Sequence, residues 1–404
     1  MLTDEERRLI AENRGKDPAK LALSLRGSAS VRPAVVAQQV DAYNRLDAKV
    51  PTWARHDGLE FPFPVAIQQC SSEPLARFRQ SLAADAESLI DLTGGLGIDC
   101  YFMGLGKERV TYVDMSADAV AAAQHNYAAL GVKNTQFVNQ SAEDYVNHLV
   151  SSGATADLIF IDPSRRGANG ERVYRLQDCA PDVTLLSPPM LKVARRVLIK
   201  LSPLIDITQA ISQLTNVTDV YAIGHATECK DVVVCLAQDC QVGVEPTIHA
   251  VTLADDGVPT AHVSFAQSQE RATPGLISTT TPAVGDFLFV PSAAMMKAGP
   301  FNILSERYGA RLIARGTHIY VAESDIGDFP GRRFKVAGVF DMSKKSVGEL
   351  RKLTTSASVA VRNFPLTADA LRRKLKLGES ATHFLFGVAG HDGRPLLLLC
   401  EKVI

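Results

Sequence analysis

The chain has no pair of cysteines spaced Cys-x-x-Cys; its seven cysteines stand apart at positions 70, 100, 179, 229, 235, 240 and 400. A zinc site is therefore not expected, nor any other metal, and scattered single thiols suit a reducing compartment. No apolar run approaches the roughly 20 residues that span a bilayer. The opening MLTDEERRLI carries charges where a signal peptide needs an apolar stretch. Net charge is only −1, which excludes a global field directed at nucleic acid. These absences lead to the expectation of a soluble cytoplasmic protein. What is present is a hydrophobic fraction of 46% over 404 residues, enough for real cores and too long for one ordinary domain.

The most informative stretch is Ser88 to Asp99, SLIDLTGGLGID. A short apolar run ends in Asp91, a glycine-rich turn follows at Gly94, Gly95 and Gly97, and a helical pattern opens at Ile98. Strand, tight turn and helix is the geometry in which backbone approaches a ligand closely. Glycine permits positive φ and removes the Cβ that would hold a nucleoside away. A dinucleotide fingerprint needs a third glycine three positions after Gly97, where this chain has Cys100. Asp91 would also repel a pyrophosphate. It suits a cationic or zwitterionic ligand such as S-adenosylmethionine (SAM), which carries an ammonium and a sulfonium.

Around this stretch the chain divides into four expected regions. Residues 1–85 read as a helical N-terminal region, with an Asp17-Pro18 helix start, a longer helix from Pro33 to Ala48 and another over 73–84. Within it, Gln69 to Phe78 either forms a piece of a packing cap or lies over the ligand pocket. Residues 86–240 alternate strands and helices, which implies a mostly parallel sheet. Strands are expected at 88–92, 110–113, 135–138, 157–161, 197–201, 217–223 and 232–236. Ligands in such sheets bind at the carboxyl ends of the strands, where Asp91, Asp114, Ser141 to Asp144 and Asp162 fall. Asp114, 17 residues after Gly97, is placed to accept both hydroxyls of a ribose. Asp162-Pro163 follows a buried strand, and Arg165 and Arg166 beside it are suited to phosphate oxygens.

Residues 241–328 read as a small ferredoxin-like α+β domain, with a hairpin at Asp255-Asp256-Gly257. Residues 332–404 read as a second α+β domain. This last region holds 14 lysines and arginines against 6 acids, a net of +8 that leaves about −9 for the rest of the chain. Such asymmetry suits a polyanion-binding module, with Arg332-Arg333, Lys344-Lys345, Arg351-Lys352 and Arg372-Arg373-Lys374 as contributors.

The set formed by Asp91 to Asp99, Asp114, and Asp162 to Arg166 resembles the class I SAM-dependent methyltransferases. The stretches QQCSSEPLARF (68–78), IKLSPLIDI (199–207), ECKDVVV (228–234) and AAMMKAGPFN (293–302), with the tail from about 332, are similar to a bacterial subgroup bearing a C-terminal THUMP-like domain. The resemblance implies a Rossmann-like seven-stranded methyltransferase sheet, preceded by the helical region and followed by two small α+β domains. It further implies SAM as cofactor: Asp91, Thr93, Gly95 and Gly97 around the methionine moiety, Asp114 on the ribose, Met115 packing on the adenine, Ser141 and Ala142 by the adenine edge. Many relatives have Asp where Ser141 stands, and Glu143 or Asp144 is the substitute. Asp162 would face the transferable methyl.

For the acceptor, exocyclic-amine enzymes present Asn/Asp-Pro-Pro-aromatic, whereas this chain has Asp162-Pro163-Ser164-Arg165 and no aromatic. The Asp-Pro-x-Arg pattern is similar to RNA uracil C5 enzymes, which need a cysteine nucleophile after strand five. That place here holds Ser202, which forms no thiolate adduct. A ring nitrogen, an exocyclic amine or a hydroxyl remains, with Asp162 and Glu228 as candidate catalytic groups. The THUMP-like tail implies RNA, with tRNA as a candidate and Arg165, Arg166, Arg372, Arg373 and Lys374 as contacts. A small-molecule or protein methyltransferase, or a non-catalytic SAM- or RNA-binding protein, is the alternative.

Overall fold

The computed structural model describes residues 2–28, 30–61, 67–68, 70–164, 175–241 and 243–403. They fall into two compact units. The first is Met1–His225 with Lys230–Pro246 and Leu253–Thr260; the second is Ala226–Cys229, Thr247–Thr252 and Ala261–Ile404.

The first unit opens with helices whose starts are written locally. Thr3 and Glu6 form a reciprocal capping box on Asp4–Glu12. Asp17 caps Pro18–Ser24, with proline in the first turn. Pro33–Lys49 buries Val36, Val40, Tyr43 and Leu46 on one face. Trp53 is fully buried and sets its ring edge-on to Tyr101 and Tyr127 at 5.4 and 6.2 Å. A further helix, Glu73–Leu82, leads into the sheet.

The strands of this unit are β1 (Ser88–Asp91), β2 (Arg109–Asp114), β3 (Thr135–Asn139), β4 (Ala156–Ile161), β5 (Ala194–Leu201), β6 (Val217–His225) and β7 (Glu228–Ala237). Each coincides with an apolar run expected to be a strand. Their order is β3-β2-β1-β4-β5-β7-β6. The first five are parallel, and β7 runs antiparallel to β5. The chain leaves β1 toward β2 on one side and returns to β4 on the other, so the switch point lies at the carboxyl ends of β1 and β4, where ligands bind in open α/β sheets. Helices Ala142–Ser152, Val183–Val193 and Ile207–Gln213 were not anticipated from the sequence. Val183–Val193 contains Pro188 and Pro189, which hide a helix from local pattern reading.

Beyond β7, β8 (Thr247–Leu253) and β9 (Pro259–Phe265) form the expected hairpin; its turn has Gly257 at φ +86° and a 2.9 Å bond from Ala254 N to Val258 O. The second unit holds a seven-stranded sheet. Its strands are β10 (Phe287–Pro291), β11 (Arg311–Leu312), β12 (Tyr320–Ala322), β13 (Gly331–Phe340), β14 (Ser358–Arg362), β15 (His383–Ala389) and β16 (Pro395–Lys402), in the order β11-β12-β10-β13-β16-β15-β14. Helices Lys344–Leu353 and Ala368–Leu375 bury Leu350, Leu371 and Leu375 against Leu385, Leu397 and Leu399. Leu288, Phe334, Phe386 and Leu398 belong to a second core. One sheet runs across residues 328–332, because β10 pairs with β13 at Leu288 and Phe334.

Candidate active site

Asp91 ends β1 and is 1% exposed. One carboxylate oxygen accepts from Thr93 N at 3.0 Å. The other, Oδ2, is buried and has no hydrogen-bond partner among the described residues. Burial pushes this carboxyl well above the usual carboxylate range; the Thr93 N–H opposes the shift, and the charges of Asp99, Asp162 and Asp114 add to it. An unsatisfied buried carboxylate oxygen costs free energy and marks a place where a donor is missing.

The glycine loop is held from beneath by two tyrosines. Tyr112 donates to Gly95 O at 2.6 Å and Tyr127 to Gly97 O at 2.7 Å. A Cβ on Gly94 would meet the Tyr112 ring at 2.1 Å, and one on Gly97, at φ +88°, would meet Tyr127 at 2.9 Å. The protein's own packing thus already requires glycine at these two positions. Among the described residues, Gly95, with φ +53°, has only Thr93 O near its Cβ position, at 3.8 Å.

Asp114 ends β2, half-buried, and ties the loop down. Its oxygens accept from Gly95 N and from Ser116 N, both at 2.8 Å. Both oxygens keep lone pairs for further donors. Met115 beside it is 79% exposed, an unusual exposure for so apolar a side chain. Ser141 caps the helix Ala142–Ser152; its hydroxyl accepts from Asp144 N at 3.0 Å and donates to the Asp144 carboxylate at 2.8 Å. Ala142 is buried.

Asp162 follows β4. Its N–H donates to Thr93 Oγ at 2.7 Å, so the glycine loop and the end of β4 share a bond. Its Oδ2 accepts from Lys200 Nζ at 2.5 Å. Burial raises the Asp162 carboxyl, opposed by the Lys200 ammonium. Lys200 lies in β5, 8% exposed, and its ammonium also reaches Ser71 Oγ at 3.0 Å and Asp99 at 3.7 Å. Burial disfavours the charged lysine, but Asp162, Asp99 and Asp231 outweigh it and keep it protonated far above neutrality.

Behind Lys200 sits Arg79, with no exposed surface. Its guanidinium bonds Asp99 at 2.6 and 2.9 Å and Asp231 at 2.6 Å. Burial raises Asp99, yet Arg79 and Lys200 prevail and hold it below the ordinary value.

The structure thus joins Asp91, Thr93, Gly95, Gly97, Asp114 and Asp162 through the loop's own bonds. Glu228 is exposed at the first position of β7 and belongs to the second unit. Arg165 and Arg166 lie outside the described residues. In the second unit Arg372 is paired with Glu379 at 2.7 Å, while Arg373 and Lys374 are exposed in the last turn of their helix. Arg351 donates to Leu375 O and Lys374 O at 3.0 and 3.1 Å, capping that helix. Lys200, Arg79, Asp99, Asp231 and Ser71 were missed as site residues. A signal existed for one of them: Lys200 interrupts VLIKL, an otherwise apolar strand.

Among the described residues no group of three His, Cys, Asp or Glu is placed to hold a metal, and no helix is long and apolar enough to cross a membrane.

Three segments match known families. Residues 331–402 match a THUMP domain-like family, 287–330 a ferredoxin-like domain, and 83–175 the family described as Conserved hypothetical protein 95. A crystal structure of a "putative methyltransferase" from Porphyromonas gingivalis W83 is similar over 100% of both chains, with TM-score 0.87 and 28% identity. The 23S rRNA (uracil(747)-C(5))-methyltransferase RlmC of Pectobacterium atrosepticum is 32% identical over 94 residues, 23% of this chain and 24% of that protein. Its counterpart in Serratia proteamaculans is 30% identical over 123 residues, 30% of this chain and 31% of that protein. The chain therefore spans less than a third of the length of these curated relatives. The resemblance to methyltransferases with a THUMP-like C-terminal domain holds, and the α/β fold is the expected one.

Proposed function

We propose that this chain is a SAM-dependent methyltransferase that acts on RNA at a ring nitrogen, an exocyclic amine or a hydroxyl. The observation that carries the reading is the unpartnered Oδ2 of Asp91, buried at the switch point of the sheet. An ammonium donor satisfies that oxygen, and a pyrophosphate does not. Asp91, Thr93, Gly95 and Gly97 would hold the methionine moiety, Asp114 the ribose, exposed Met115 the adenine face, and Ser141 and Ala142 the adenine edge. The cofactor supplies an electrophilic methyl on a sulfonium.

The chain's own role is to bind and orient. Asp162, with Oδ2 fixed on Lys200, offers its other oxygen to an N–H or O–H of the acceptor. Ser202 is buried, and its hydroxyl accepts from Leu204 N at 3.2 Å; a serine there supports nitrogen or oxygen acceptors rather than the C5 chemistry named for the RlmC relatives. The RNA reading is supported by the basic 332–404 segment, where Lys344, Lys345, Arg373 and Lys374 are exposed.

The test is transfer of labelled methyl from SAM into total RNA and into purified tRNA from cells lacking the protein. Incorporation supports the reading, and nucleoside mass spectrometry then names the product. No incorporation into either pool, with protein or small-molecule fractions labelled instead, overturns the RNA assignment.

A further inference from the structure

Ser71, Asp99 and Asp162, from three stretches far apart in the chain, meet around the ammonium of Lys200. We infer that Lys200 is the positioning residue of the acceptor site: it fixes the Asp162 carboxylate so that a single oxygen faces the methyl acceptor. This rests on the methyltransferase reading above.

A buried lysine is expensive, so its contacts say what it is there for. Its shortest contact is to Asp162, at 2.5 Å; Asp99 is at 3.7 Å. Asp99 and Asp231 already share the guanidinium of Arg79. Asp162 is the least buried of the three acids, its side chain 38% exposed against 11% for each of the others. Although burial raises its carboxyl, it keeps an exposed edge that a ligand can reach. With Asp99 and Asp231 already paired, the lysine lies closer to the accessible Asp162 than to the buried Asp99.

The consequence is that Asp162 is held at both ends. Its main-chain N–H is fixed to Thr93 Oγ in the glycine loop, and its Oδ2 to Lys200. Ser71 orients the ammonium by accepting from it at 3.0 Å while donating to Asp99 at 2.6 Å. Asp99 stands in the first turn of the helix Ile98–Gly104, directly after the glycine loop. The acceptor carboxylate is therefore indexed to the cofactor loop through two separate routes, which is the preorganisation that a methyl transfer requires. The region before β1, through Ser71 and Arg79, belongs to this device and is more than a cap on the sheet.

The experiment compares wild type, K200M, K200R, D162N and the double variant D162N/K200M. Binding is read with S-adenosylhomocysteine by calorimetry. Turnover is read with labelled SAM and RNA from cells lacking the protein. K200M is expected to bind S-adenosylhomocysteine within about threefold of wild type and to lose about 100-fold in kcat, with a smaller change in KM. K200R keeps the charge and should recover some of the rate. Because Lys200 acts through Asp162, the double variant should be no slower than D162N alone. Losses that multiply in the double variant, or a K200M kcat within about twofold of wild type, overturn the inference. If K200M does not fold, the same coupling is read from K200R and D162N/K200R. A wild-type protein that transfers no methyl to RNA overturns the function itself, a result distinct from an active K200M.

Discussion

Asp91→Asn separates stability from binding. In the free protein the Asp91 carboxyl is buried with one oxygen unpartnered, and its pKa is raised by that burial. A carboxyl whose folded pKa lies above its unfolded one stabilises the fold fully below the unfolded value, near 3.8. That contribution is lost as pH rises through the folded value. At neutral pH the ionised or unsatisfied group is therefore a liability, of the order of 1–3 kcal/mol for a buried polar group without its partner. Asparagine keeps the acceptor for Thr93 N and removes the charge. D91N should thus melt higher than wild type without ligand, by about 2–4 °C per kcal/mol for a unit of this size. The same change removes the partner of the ligand ammonium, so S-adenosylhomocysteine should bind about 10–100-fold more weakly, or about 1.4–2.7 kcal/mol. Wild-type affinity should strengthen as pH rises and Asp91 ionises, and D91N should show a flat profile. Scanning fluorimetry with and without ligand, and calorimetry across pH, read all three. A D91N protein that melts lower than wild type and binds S-adenosylhomocysteine equally well would refute the assignment of this oxygen as the ammonium acceptor.

The other predictions concern the loop, the buried ion network and the basic tail. Gly97→Ala places a methyl 2.9 Å from Tyr127 in a backbone at φ +88°; it should cost about 1–3 kcal/mol in urea unfolding and abolish ligand-induced stabilisation. Arg79→Met leaves Asp99 and Asp231 without their shared guanidinium and should cost about 3–5 kcal/mol, measured by the same denaturation. Arg373→Glu with Lys374→Glu should weaken RNA binding without moving the melting temperature, with a shallower salt dependence in filter binding; Arg372→Glu alone should lower stability slightly, because that side chain is paired with Glu379.

The strands of the first unit were legible because each buried strand is a short apolar run closed by a polar residue. The glycine turn was legible because Gly94, Gly95 and Gly97 sit between a strand and a helix start. Helices were missed where their signals conflict with local rules. Val183–Val193 carries two prolines in its interior, and Ala142–Ser152 begins at Ser141, a cap that the reading of that serine as a ligand contact passed over. The packing reason for Gly94 and Gly97 was not legible, because the rings that meet them come from Tyr112 and Tyr127, 18 and 30 residues further along the chain.

The order of polar and apolar residues by itself determined the alternating elements, the acids at their carboxyl ends and the basic character of the last 73 residues, since each depends on neighbours within a few positions. Only the tertiary structure decided that Lys200 meets Asp162, and that Arg79 meets an aspartate 152 residues away. In the sequence Arg79 is one more cation on a polar helix, and Asp231 one more acid before an apolar strand. Their pairing is set by how the sheet brings distant segments together, and burial is what turns those ordinary charges into a network on which the acceptor site depends.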